Sequence, residues 1–152
     1  MSRASSTTVA IDVPADPVFA TITDIHKLPA WNAAISRVVQ QPPVLAPGAE
    51  WVVEVRALNQ TWRSRSRVEE IDTKARRFVY RSGTDDGNPS YAIWRWEVAE
   101  VDGGCQVRVT WDLHPVTFWR RHLLVKVRSR QLRRTEVPAS LSRMADVAAG
   151  RV

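Results

Sequence analysis

The 152 residues carry a formal net charge of +6, with 44% hydrophobic and 25% charged side chains. That length suits one domain that buries roughly 68–70% of its unfolded surface, and the proportions are those of a globular chain. The single Cys105 excludes an internal disulfide framework and a Cys-type metal site, and it suits a reducing, cytoplasmic setting.

In chain order, residues 1–8 lack the apolar core of a secretory signal, and no run approaches the roughly 20 apolar residues of a membrane span. A first strand is predicted over 7–13, with Val9, Ile11 and Val13 on one face, ended by Pro14. Asp16-Pro17 reads as an N-cap followed by proline at the first helical position, and Val18, Ile22 and Ile25 continue at helical spacing. Leu28-Pro29 breaks that helix, and Ala30-Trp31-Asn32 forms a second short turn.

Residues 35–41 read as a short strand closed by Pro42-Pro43. Four strongly alternating segments follow. Trp51, Val53, Val55 and Ala57 alternate with Val52, Glu54 and Arg56; so do Trp62, Ser64, Ser66 and Val68 with Arg63, Arg65 and Arg67. Ala92, Trp94, Trp96 and Val98, then Val107, Val109, Trp111 and Leu113, repeat the pattern on either side of an Asp102-Gly103-Gly104 hairpin signal. Between them, Phe78, Tyr80 and Ser82 lead into the turn-rich stretch from Gly83 to Pro89. Strands joined by short turns make an antiparallel sheet with one covered face and one wet face, and Arg63, Arg65, Arg67 and Arg108 belong to the wet one.

Residues 116–149 return to a helical period, with Val116, Trp119, Leu123, Val127, Val137, Leu141, Met144 and Ala148 on one stripe, interrupted at Pro138. Arg120, Arg121, Lys126, Arg128, Arg130, Arg133 and Arg134 lie there without an acid among them. Such a run either meets phosphate, on nucleic acid or on an anionic surface, or is a solvated helix face. No repeat or linker divides the chain, so residues 1–152 are expected to form a single domain.

The order is one strand, two short helices, six strands and one long helix. Together with Val9-Ala10-Ile11-Asp12-Val13-Pro14-Ala15-Asp16-Pro17-Val18-Phe19, with Thr23-Asp24-Ile25 before Pro29-Ala30-Trp31, and with Trp94-Arg95-Trp96-Glu97 leading to Asp102-Gly103-Gly104 and Val107-Arg108-Val109-Thr110-Trp111, it resembles the START-like, polyketide-cyclase-like superfamily known as SRPBCC. Cys105 stands where many relatives have Thr after the paired glycines. The resemblance implies an α+β helix-grip fold: a bent antiparallel sheet of about seven strands around a long C-terminal helix, with a cavity between them.

Seven of the twelve aromatic residues are Trp, and strand parity collects most of them on one face. The expected cavity wall includes Trp51, Trp62, Ser64, Ser66, Phe78, Tyr80, Trp94, Trp96 and Trp111. Aromatic area with sparse hydroxyls suits a hydrophobic or amphipathic small molecule, lipid or polyketide-like; the alternative is that the rings fill a solid core. Within this set, Trp62, Tyr80, Trp94 and Trp96 are expected to line the pocket. From the helix, Leu123 and Val127 join the wall, and the same spacing turns Arg130 and Arg134 toward the ligand, where they would hold an anionic group. Snorkelling into water, or a phase shift at Pro138, is the competing account.

Catalytic signals are faint. His26, His114 and His122 are scattered, and no metal-ligand spacing occurs, so neither a metal nor a cofactor is expected. Asp85-Asp86 reads as a turn, and Asp12, Asp24, Glu54 and Glu97 as surface or capping residues. A polyketide cyclase or dehydratase of this fold would need a shaped cavity and one proton-transfer group, for which Tyr80 is the candidate. With the aromatic residues turned inward, base stacking on nucleic acid is disfavoured.

Overall fold

The computed structural model describes residues 3–57, 59–115 and 130–151. The strands β1 (Arg3–Ile11), β2 (Ile35–Gln40), β3 (Glu50–Ala57), β4 (Gln60–Asp72), β5 (Arg77–Thr84), β6 (Tyr91–Val101) and β7 (Gly104–His114) form one antiparallel sheet in the order β1-β7-β6-β5-β4-β3-β2. Helix α1 (Ala15–Ile22), a 3-10 turn (Ile25–Lys27) and α2 (Leu28–Trp31) connect β1 to β2, and α3 (Val137–Ala148) lies near the C-terminus.

β1 begins four residues earlier than the apolar alternation indicates, because it pairs with β7 from Arg3 opposite Leu113 to Ile11 opposite Cys105. Its added inward position is Ser5, a polar residue that keeps the strand period without an apolar signal. Helix α1 also starts earlier, with Pro14 rather than Asp16 at the N-cap. Pro17 then sits in the first turn, where amide groups have no helical acceptor and its missing N–H costs nothing. Asp16 is left to receive Arg76 Nε at 2.7 Å, tying α1 to the end of the β4–β5 hairpin. Pro29 opens α2 rather than merely ending the helix before it.

The β6–β7 hairpin turns through Asp102-Gly103, with Val101 opposite Gly104. Gly103 has φ +83°, and a Cβ on Gly104 would lie 2.0 Å from the Ile11 carbonyl oxygen. The second glycine is therefore required by the close approach of β1 together with its own positive φ of +156°. β4 carries a bulge between Val68 and Glu70, an extra residue that bends the strand.

Val68, Phe78, Trp96, Val98, Val107 and Val109 on the sheet pack with Val18, Phe19 and Ile22 of α1, with Trp31 of α2, and with Leu141 and Met144 of α3. The Ala33 amide donates to Ser140 Oγ at 2.8 Å, fastening the end of α2 to α3. On the other side of the sheet Arg63, Arg67 and Arg108 are exposed, while Arg65 is held between Glu50 (3.1 Å) and Asp85 (2.8 Å).

Before α3, residues Leu132–Glu136 form a π-turn in which the Val137 amide donates to the Leu132 carbonyl. Pro138 lies at the start of α3 and brings no N–H to the helical ladder, so the interruption expected there takes the form of a wide turn.

Candidate ligand-binding face

Register decides which side chains share the concave face. Trp51 opposes Ser66, Val53 opposes Ser64 and Val55 opposes Trp62 across β3 and β4. Across β4 and β5, Ser66 opposes Ser82, Ser64 opposes Thr84 and Val68 opposes Tyr80. Tyr80 then opposes Trp94, which opposes Trp111, while Phe78 opposes Trp96. The nine strand residues that alternation assigns to one face do lie on one face.

Burial divides them. Trp51, Ser66, Phe78, Trp96 and Trp111 are buried; Trp62, Ser64, Tyr80 and Trp94 are half-buried. At the covered end Trp51 stacks on Phe78 at 5.9 Å and meets Tyr80 edge-on at 4.9 Å. Trp96, expected to line a pocket, is 3% exposed and packed edge-to-face against Trp31 at 5.5 Å, so it belongs to the core. Parity cannot see this, because Trp31 arrives from α2. Its place in a short helix before Asn32 is the one sequence signal that a large ring closes the sheet from that side.

At the other end Trp94 stacks on Trp111 with centroids 5.8 Å apart. Trp111 is fully buried, yet among the described residues its indole N–H has no acceptor, and the same holds for Trp31. Each such orphan donor costs about 1–3 kcal/mol. Trp96 Nε1 donates to the Tyr80 hydroxyl oxygen at 3.4 Å, and burial pushes the Tyr80 phenol up to about 12. At neutral pH Tyr80 is therefore an uncharged hydroxyl with a proton to donate, and not a base. Ser82 and Ala92, half-buried beside Ser66 and Trp94, complete this end and were absent from the expected wall although they have the right parity.

The helix contributes differently from its spacing. Leu123 and Val127 lie outside the described residues. Arg130 and Arg134 are exposed, and the inward positions belong to Leu132, Glu136 and Val137. Counting back from Val137 at α-helical spacing reaches Arg133 and Arg134; the π-turn instead brings Leu132 beneath Val137 and rotates the arginines into water. Exposure of both arginines agrees with the competing account, in which they reach water.

Among the described residues several of the scattered acids, and His114, sit in local pairs; His122 lies outside the described residues. Glu54 accepts from Ser36 at 2.6 Å and meets Arg37 at 3.2 Å, and the Ser36 hydrogen bond leads the causes that hold its carboxyl low. Asp86 accepts from Thr84 and from the Asn88 amide, as a turn former does. His114 stacks on Tyr91 at 4.6 Å and meets Asp112 at 3.1 Å on the convex face. An open groove of about 370 Å³ between the end of α1 and the β2–β3 connection is lined by Thr23, Ile25, Pro42 and Leu45, none of them an expected site residue.

A seven-stranded antiparallel sheet with short helices after β1 and a C-terminal helix on its concave face defines a helix-grip α+β protein. The chain belongs to the family described as polyketide cyclase / dehydrase and lipid transport, whose model matches residues 3–149. Among solved structures it is similar to the Zhui aromatase/cyclase from Streptomyces sp. R1128, at 19% identity and TM-score 0.77 over 99% of this chain and 96% of that one. Ara h 8.0201 matches at 16% identity and TM-score 0.75, over 99% of both chains. The di-domain ARO/CYC BexL from the BE-7585A biosynthetic pathway matches at 20% identity and TM-score 0.76, over 97% of this chain and 50% of that one. No curated protein sequence matches the chain.

Proposed function

We propose that this protein binds a hydrophobic or amphipathic small molecule, lipid or polyketide-like, against the half of the concave face that carries Trp62, Tyr80 and Trp94. The observation that carries the reading is Trp94: a half-buried ring on the concave face, stacked on the fully buried indole of Trp111. A ligand that lies on Trp94 adds aromatic contact area to a ring already held by Trp111. The family description supports a ligand of this kind.

Titration with 1-anilinonaphthalene-8-sulfonate, followed by quenching of Trp emission, tests it. Saturable quenching is expected, weakened about tenfold or more by Trp94→Ala. Failure to saturate, or an unchanged affinity in that variant, removes the reading.

A cyclase or dehydratase activity is the second reading, supported by the neutral Tyr80 hydroxyl, a group able to donate a proton or a hydrogen bond. Loss of turnover of a model polyketide in Tyr80→Phe, with binding retained, would support it, and unchanged turnover would dismiss Tyr80. The buried thiol of the lone Cys105 is compatible with a reducing, cytoplasmic setting.

A further inference from the structure

The convex face of the sheet carries more cations than its acids pair. Arg37 and Arg56 share Glu54, Arg65 lies between Glu50 and Asp85, and Arg77 between Glu70 and Glu97. Arg67, Arg81, Arg95 and Arg108 are exposed and, among the described residues, form no ion pair. Their positions are ordered. Arg67 of β4 stands directly opposite Arg81 of β5. Arg81 opposes Ile93, two residues before Arg95 on β6, and Arg95 opposes Thr110, two residues after Arg108 on β7. The four make a diagonal stripe, one arginine per strand, with steps of roughly 5 to 8 Å.

Like charges directly across a strand pair oppose folding, so Arg67 and Arg81 destabilise the free chain until an anion lies between them. Arg81 is also held in place. Its guanidinium carbon lies 3.5 Å over the Tyr91 ring, and His114 stacks on that ring at 4.6 Å. At such distances the two take opposite faces of Tyr91. His114 is fixed in turn by Asp112 at 3.1 Å. The cation is therefore pre-set, and little ordering remains to be done on binding. All four residues are arginines, whose planar fork matches a carboxylate with two parallel hydrogen bonds.

We propose that the stripe of Arg67, Arg81, Arg95 and Arg108 docks an acidic polypeptide segment of a partner protein. The net charge of +6 draws such a partner from a distance. Carboxylates flank the stripe, with Glu50 opposite Arg67 and Glu97 opposite Arg108. A broad polyanion, such as a duplex or a membrane, presses against those acids as well as the arginines. A single slender segment lies between them. Alternate residues of an extended chain stand about 6.6–6.8 Å apart, close to the diagonal step of the stripe. A single nucleic-acid strand needs open rings on which to stack its bases, and Tyr91 has neither face free.

The test follows the fluorescence anisotropy of a labelled oligoglutamate and, separately, of a labelled DNA duplex of equal charge. Two variants each remove three arginines: Arg67→Gln/Arg95→Gln/Arg108→Gln from the stripe, and Arg130→Gln/Arg133→Gln/Arg134→Gln from the exposed turn before α3. Both lower the net charge equally, so a difference between them reports place and not total charge. The stripe variant is expected to bind oligoglutamate about tenfold more weakly than the unmodified protein, the sum of three exposed ion pairs, and the other variant to stay within about threefold. Arg67→Gln alone, which relieves the repulsion from Arg81, should melt no lower and bind about threefold more weakly. Equal losses in the two triple variants overturn the proposal, since charge alone then explains the binding. Tighter binding of the duplex overturns it too and gives this face to nucleic acid. So does an unmodified chain that does not bind oligoglutamate.

Discussion

The indole of Trp31, brought by the four-residue helix α2, stands at 86° to the indole of Trp96 on β6, 5.5 Å away. This contact separates the filled end of the concave face from the half-buried end. Trp31→Ala should therefore cost about 3–5 kcal/mol of stability, from lost burial and the cavity left behind. It should also raise acrylamide quenching of the remaining Trp emission as Trp96 loses its cover. Urea unfolding and quenching read the two effects separately. A loss under about 1 kcal/mol would mean that α2 is not the closure of the core.

Tyr80 gives a pH dependence with a definite sign. Its phenol is pushed up to about 12 by burial, above the ordinary value of 10.0, so the folded chain keeps a proton that the unfolded chain releases. Its contribution is whole below pH 10 and is lost as pH rises through about 12. Tyr80→Phe should consequently show a shallower fall in stability between these limits. Denaturation at stepped alkaline pH checks this, and parallel curves would contradict it.

Gly104 should tolerate no side chain. A Cβ there meets the Ile11 carbonyl oxygen, a backbone atom that cannot step aside without breaking the β1–β7 pairing. Gly104→Ala is expected to cost about 2 kcal/mol or more, whereas Gly103→Asn, at a left-handed turn position that Asn accepts, should cost under about 1 kcal/mol. Thermal melts of the two variants make the comparison.

The exposed Arg130, Arg133 and Arg134 should leave the fold indifferent and an anionic surface sensitive to them. Replacing all three by Gln is expected to change stability by no more than about 0.5 kcal/mol. If this face makes peripheral contact with anionic lipid, at about 1 kcal/mol per arginine, sedimentation with phosphatidylglycerol vesicles should weaken about a hundredfold. The same binding should fade in 0.5 M salt and be absent on phosphatidylcholine vesicles. Equal sedimentation of the variant and the unmodified chain would reduce these arginines to solvated surface.

Much of this architecture is written in the period of the sequence. Alternation in residues 51–57, 62–68, 92–98 and 107–113 is enough to place Trp62, Ser64, Trp94 and Trp111 on one face, since successive strand side chains point to opposite sides. The Asp102-Gly103 turn follows from the same pattern. Extra length in β1 is hidden because Ser5 faces inward without being apolar, and only pairing with β7 reveals it.

Period does not determine depth. Trp96 and Trp94 are two residues apart on one strand with the same parity, yet Trp96 is sealed by Trp31 and Trp94 is half-buried. That difference comes from where α2 lands on the sheet, a long-range contact that no local spacing encodes. Arg134 shows the same limit on the helix. A spacing of four residues assumes an unbroken α-helical ladder, but Pro138 supplies no amide, the preceding turn widens so that Val137 bonds to Leu132, and the arginine stripe swings out to solvent. The sequence by itself determined which residues belong to a common face; only tertiary packing decided which of them are left for a ligand, because burial depends on what the rest of the chain lays over each face.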